Sequence, residues 1–135
     1  MKEIDELNLP ENVRYTEDHE WARSDGDFVS IGITDYAQDQ LGDIVYVEVP
    51  EVGLTFRKGE ECGTIESVKA VAAVFIPVSG EIASVNTSLE EEPALVNTSP
   101  YTDGWIARVK PEDPSEMERL MDRKTYLDML KGMSE

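Results

Sequence analysis

The sequence predicts a mostly β fold with helix at its C-terminal end, and three observations predict it. Turn residues recur at short intervals (Gly53, Gly59, Pro77, Gly80) along runs rich in valine and isoleucine, the punctuation of short strands joined by tight turns. Val29, Ile31 and Ile33 recur with a period of two, so one face of that segment is apolar. After Asp113-Pro114 the period lengthens, and Met117, Leu120 and Met121, then Tyr126, Leu127 and Leu130, fall at helical spacing. With 135 residues, 40% of them apolar, the chain is long enough for one core. One domain, 1–135, is expected, with a β core over about 15–110 and a helical segment over about 114–131.

Residues 15–21 precede a Ser24-Asp25-Gly26-Asp27 turn and are expected to open a hairpin with a strand over 28–33. Thr34 reads as an N-cap, Asp35 suits the first helical turn and Gly42 follows the end, so 35–41 is a predicted short helix. A strand returns over 44–49, Pro50-Glu51-Val52-Gly53 is turn chemistry, and 55–58 leads into Gly59. Two strands, 62–68 and 71–78, then meet at a turn near Lys69. Gly80 opens a strand that runs to Asn86. Residues 89–99, with Pro93 and a solvated Glu90-Glu91-Glu92, are expected to be loop, and 104–109 to close the sheet. The C-terminal pattern is one kinked helix or two short ones, with methionines packed on the β core, covering an edge of the sheet.

Twenty-nine acidic residues against twelve basic ones give a net charge of −17. That balance opposes binding to nucleic acid or to anionic membrane and favours docking on basic protein surfaces. Trp21, Trp105 and five tyrosines separate the chain from acidic disordered segments. Met1-Lys2-Glu3-Ile4-Asp5-Glu6 is acidic and no apolar run follows it, so neither a secretory signal nor a transit peptide is read there. A cytoplasmic, bacterial-like protein is expected, mitochondrial only if a transit peptide has been removed. Cys62 is alone, which excludes an intramolecular disulfide or a cysteine metal cluster. His19 is the only histidine, so any Ser-His-Asp, Cys-His or multi-histidine metal arrangement would have to pass through it. With no phosphate-binding glycine loop and no EF-hand spacing either, no metal site and no self-sufficient active site are read. Asn86-Thr87-Ser88 and Asn97-Thr98-Ser99 match the glycosylation pattern but belong to turn-rich sequence without a secretory signal.

What remains is Lys69, inside the small and apolar stretch Gly63-Thr64-Ile65-Glu66-Ser67-Val68-Lys69-Ala70-Val71. A hairpin turn there would hold a long flexible amine clear of the body, a natural site for enzymatic acylation. A lysine in a turn is commonplace by itself. Beside the missing catalytic set, however, it suits a carrier whose chemistry comes from a cofactor and from other enzymes, since a tethered group gains effective concentration at each partner.

Ordered blocks then resemble the glycine cleavage system H protein family, from Tyr15 to about Leu130. They are Tyr15-Thr16-Glu17-Asp18-His19-Glu20-Trp21, Gly32-Ile33-Thr34-Asp35-Tyr36-Ala37-Gln38, Leu41-Gly42-Asp43-Ile44-Val45, Glu66-Ser67-Val68-Lys69-Ala70, Pro77-Val78-Ser79-Gly80-Glu81-Ile82, Val85-Asn86, and Asn97-Thr98-Ser99-Pro100-Tyr101 with Gly104-Trp105. The resemblance implies a barrel-sandwich hybrid, the flattened β-barrel of lipoyl and biotinyl carriers, with a short helix after the first strands and C-terminal helices. It implies lipoate bound covalently to Lys69, with Glu66, Ser67, Val68 and Ala70 forming the attachment hairpin and Glu66 helping the lipoate-attaching enzyme to recognise it. Glu20 would lie near the cargo carried by the arm, while His19 and Trp21 would be structural. The implied role is a non-catalytic carrier, expected as a monomer, that passes an aminomethyl group from glycine decarboxylase to the aminomethyltransferase and is reoxidised by dihydrolipoamide dehydrogenase.

Ala72-Ala73 stands where the family often has Ser-Asp, and Tyr36 and Gln40 stand where it often has histidines, which leaves Glu20 as the main counter-charge. A biotin carrier would flank its lysine with methionines, whereas Val68 and Ala70 flank Lys69. A 2-oxoacid dehydrogenase lipoyl domain would have Asp-Lys-Ala and would lack the His-Glu-Trp block. An H-protein-like carrier in lipoate relay or sulfur oxidation, or an unmodified interaction module on the same fold, remain as alternatives.

Overall fold

The computed structural model describes residues 2–133; Met1 and residues 134–135, which belong to the expected domain, lie outside the described residues. Nine strands form two antiparallel sheets. The first holds β1 (Arg14–Tyr15), β2 (Glu20–Asp25), β3 (Phe28–Ile33), β5 (Thr55–Phe56), β8 (Gly80–Val85) and β9 (Ala107–Pro111) in the order β1-β2-β3-β9-β8-β5. The second holds β4 (Ile44–Glu48), β6 (Glu61–Ser67) and β7 (Val71–Phe75) in the order β4-β6-β7. Between them lies a core of Val29, Ile31, Ile44, Val47, Ile65, Val74, Ile82 and Val109, all buried. The two sheets do not close into one hydrogen-bonded barrel, but two sheets facing across one core keep the sandwich character expected.

The helix α1 (Asp35–Leu41) forms where it is predicted, for the predicted reasons. Thr34 Oγ1 accepts the Ala37 N–H at 3.2 Å, and Gly42, at φ 79°, ends the helix with its N–H on the Gln38 carbonyl. The hairpin turn at Gly26 also forms, with Asp25 paired to Phe28.

Four expectations are corrected. Residues 15–21 are not one strand: β1 and β2 are parted by a turn in which Thr16 Oγ1 accepts the Glu20 N–H and His19 adopts a φ of 70°. The strand read over 71–78 stops at Phe75: Ile76 still bonds residues 59 and 60, but Pro77 has no N–H to continue a ladder, and Ile76, Pro77 and Val78 are buried in succession. Residues 89–99 are not all loop. Asn86 caps a 3-10 turn, Thr87–Glu90, by accepting the Ser88 N–H, and α2 (Leu95–Thr98) follows, with Leu89 and Val96 buried as anchors. The last strand begins at Ala107 rather than 104, because Gly104 is wedged under α2, where a Cβ would lie 2.6 Å from the Leu95 carbonyl oxygen.

The C-terminal pattern resolves into two helices, α3 (Ser115–Glu118) and α4 (Arg123–Met133). The link between them covers the free edge of β1, with Tyr15 and Met121 exchanging backbone hydrogen bonds of 2.8 and 3.0 Å. Tyr126 of α4 stacks on Tyr15, ring centroids 4.5 Å apart. Leu7, Leu9 and Val13 from the N-terminal stretch join Tyr15, Trp21, Tyr101, Tyr126 and Leu130 in a second cluster, which the charged character of the first residues hides from a reading by composition.

Candidate functional site

The ladder between β6 and β7 ends at Glu66 paired with Val71, so residues 67–70 must reverse the chain. Ser67 braces that turn from within. Its N–H donates to the Ala70 carbonyl at 2.8 Å, and its buried hydroxyl oxygen accepts the N–H groups of Ala70 and Lys69 at 3.0 and 3.3 Å. Val68 donates its N–H to the Asp43 carbonyl at 3.0 Å, which ties the turn to the link between α1 and β4. Lys69 projects from this framework exposed. Among the described residues its ammonium has neither a hydrogen bond nor an ion pair. Its stem passes over Gly42, where an added Cβ would sit 3.5 Å from Lys69 Cε.

The anchor below the turn is itself held by Asn97 of α2. Its amide nitrogen donates to the Gly42 carbonyl at 2.9 Å and to Gln38 Oε1 at 2.8 Å, and its Oδ1 accepts the Ile44 N–H at 2.9 Å. A continuous set of bonds therefore runs from α2 through residues 42–44 to Val68. Sequence reading assigns no such role to Asn97, because it places that residue in a loop, where it registers only as a glycosylation match and as the first residue of a resembling block.

Glu20 sits elsewhere. It opens β2, is buried, and accepts Thr16 Oγ1–H on Oε1 at 2.7 Å and the Phe75 N–H on Oε2 at 3.2 Å. Burial pushes its pKa up to about 7, opposed by those two hydrogen bonds and assisted by the nearby Asp18 charge. It lines an open cavity of about 240 Å³ with Asp18, Lys58, Phe75, Arg119 and Met121. β7 opens at Val71 and ends at Phe75, so at ~3.3 Å per strand residue the Phe75 N–H that Glu20 accepts lies roughly 13 Å along the strand from the end of the turn. Glu66, Ser67, Val68, Lys69 and Ala70 are thus gathered in one place, and Glu20 stands at the far end of the strand that leads from them.

His19 and Trp21 are both held by hydrogen bonds and ring contacts within the fold. His19 Nδ1 bonds the Tyr126 hydroxyl at 2.8 Å, and burial holds its imidazole below the ordinary pKa. Trp21 is buried, with Nε1–H donating to the Pro100 carbonyl at 2.9 Å. Cys62 is buried with its thiol pushed up to about 12 by desolvation, far from thiolate reactivity at neutral pH. Among the described residues no His/Cys/Asp/Glu group is placed to hold a metal, and no helix is long and apolar enough to cross a membrane.

Three comparisons bear on this arrangement. Residues 13–133 match the family model described as glycine cleavage H-protein. The glycine cleavage system H protein of Bacteroides thetaiotaomicron is 50% identical over 126 residues, covering 93% of this chain and all of that one. The protein of the same name from Thermus thermophilus is 50% identical over 126 residues, covering 93% of this chain and 98% of its own. A crystal structure of a glycine cleavage system H protein from Mycobacterium marinum superposes with a TM-score of 0.83 at 38% identity, covering 91% of this chain and 99% of that chain.

Proposed function

The chain belongs to the glycine cleavage H-protein family, and from that premise we propose that it is the lipoylated carrier of a glycine cleavage system, with lipoate in amide linkage on Lys69. It is a carrier subunit and not a catalyst. Its partners are the glycine decarboxylase that loads it, the aminomethyltransferase that unloads it, dihydrolipoamide dehydrogenase, and the enzyme that attaches lipoate. It works as one domain, as a monomer, in the cytoplasm. When bound, lipoate supplies the arm and the redox-active dithiolane that takes up electrons and the carbon unit.

The observation that carries the reading is an exposed amine with no bonding partner among the described residues, on a turn braced from inside. Forming an amide at Lys69 Nζ disrupts no ion pair and strains no packed atom. Ser67 and Ala70 hold the turn's shape, while Glu66 and Val68 are exposed beside the lysine and available to the attaching enzyme. Glu20 is suited to receive a cationic amine in the cargo. Its buried carboxyl is near half-protonation at neutral pH, and a cation entering the cavity would pull it to the ionised form.

Intact mass and peptide mapping of the protein from a lipoate-making host test the reading. A lipoyl adduct on Lys69 is expected, absent in Lys69→Ala, with the thermal midpoint of that variant within about 1–2 °C of wild type because an exposed lysine holds few contacts. A bare Lys69, or an adduct elsewhere, overturns it. Glycine-dependent loading by the decarboxylase then tests the cargo.

A further inference from the structure

The β4-β6-β7 sheet has one face on the core and one face on solvent. Its pleat puts Val47, Ile65 and Ala72 in an inner row and Tyr46, Glu66 and Val71 in an outer row, matched by register across all three strands. A solvated outer face ordinarily alternates to polar residues. Here Tyr46 is 49% exposed and Val71 67%. Val45, at the β4 bulge beside them, is 52% exposed, and Val68 in the turn is 71% exposed. The other exposed large apolar residues among those described, Phe28, Val52, Leu54 and Met133, lie outside this sheet, so the four around Lys69 form a cluster and not a scatter.

The charge around the cluster has one sign. Glu48 and Glu66 stand on the outer face, Asp43 is exposed at the foot of the turn, and β4, β6 and β7 contain neither lysine nor arginine. Lys69 is the one cation of the turn, and acylation would remove it.

We propose that this outer face, with Tyr46 and Val71 on either side of Glu66 and with Val45 and Val68 toward the turn, is the docking surface for the enzyme that acylates Lys69. Such an enzyme meets it with an apolar patch rimmed by lysine or arginine. The proposal rests on the carrier reading of Lys69 and adds which surface is recognised. Two arguments select that occupant. An acylating enzyme must cover the turn to reach Nζ, so its contact face is continuous with Val68 and Val71. Anionic surfaces such as a phospholipid membrane or nucleic acid are repelled by the same carboxylates.

The test uses the full-length unmodified protein with a purified lipoate ligase, lipoate and ATP. It reads the rate of mass gain at Lys69 and, separately, the dissociation constant of the ligase complex by calorimetry. Tyr46→Thr with Val71→Thr places threonine, a good strand former, at both positions while removing apolar contact. About a tenfold rise in KM and in the dissociation constant is expected, with kcat and the thermal midpoint little changed. Glu48→Gln with Glu66→Gln should also raise KM and flatten its salt dependence. The pair Val52→Thr with Leu54→Thr, apolar and exposed but off this sheet, should leave both constants as they are. Wild-type kinetics in the Tyr46/Val71 variant, or an equal loss in the Val52/Leu54 variant, overturns the docking surface and leaves the carrier reading standing. Failure of the wild-type protein to gain lipoate at Lys69 overturns the carrier reading, and the docking surface with it.

Discussion

At the scale of single residues the two groups that matter are treated in opposite ways. Lys69 is left in water with no bonding partner among the described residues, whereas Glu20 is taken out of water and given a hydroxyl and a backbone N–H. The cost of that burial predicts a pH dependence. With a folded pKa of about 7 against 4.5 for the free group, folding favours the protonated form. The stability it lends is therefore full below about pH 4.5 and is lost as pH rises through 7. At ~1.36 kcal/mol per unit the loss is on the order of 3 kcal/mol. Carboxyls held below their usual range, such as Asp25 and Asp35, act in the opposite sense and only at lower pH. Comparing denaturant unfolding of wild type and Glu20→Gln from pH 5 to 8 isolates the effect. The wild-type curve should decline across that window and the variant's should be flatter; parallel curves would show that Glu20 is not buried in solution. Loading the arm with an amine cargo should lower the Glu20 pKa, observable as a shifted carboxyl titration by NMR.

At the scale of elements, the turn that carries Lys69 is positioned by a residue that does not touch the lysine. Asn97 makes three hydrogen bonds to α1 and to residues 42–44, and those residues hold Val68. At about 1 kcal/mol per bond, Asn97→Ala should cost roughly 2–3 kcal/mol of stability. Hydrogen exchange at the Val68 and Ile44 amides should accelerate more than at the Ile65 amide in the body of β6. Uniform acceleration would mean that Asn97 supports the fold without steering the turn. This element also shows where sequence reading reaches its limit. The α1 helix is legible because its cap, first-turn acid and terminal glycine are local, and the hairpin around Lys69 because small and β-branched residues flank one long cation. The α2 helix is not legible, since four residues carry too little periodicity to register and Asn97 takes its meaning from partners 53 to 59 positions away. Glu20 can be singled out by its block, yet its distance from the turn depends on the β2-to-β7 approach that no local pattern encodes.

At the scale of the whole molecule, a net charge of −17 sets two effects against each other. Ion pairs such as Lys2–Asp35, Arg23–Asp25 and Lys124–Asp128 neutralise few of the 29 acidic residues, so the folded chain holds its carboxylates closer together than the unfolded chain does. Self-repulsion of that kind destabilises the compact state, while the same field draws in a partner with a basic rim. Salt separates the two. Raising ionic strength from about 10 mM to 150 mM shortens the Debye length from roughly 30 Å to 8 Å. The melting temperature should then rise by a few degrees while the KM for lipoylation also rises. Calorimetry and attachment kinetics on the same preparation, at the same salt steps, read both. Opposite signs, stability up and association down, are what a charge kept for docking at the expense of folding requires. A melting temperature that falls with salt would mean that favourable ion pairs outweigh the repulsion. A KM indifferent to salt would leave the apolar residues around Lys69 to account for recognition without help from the field.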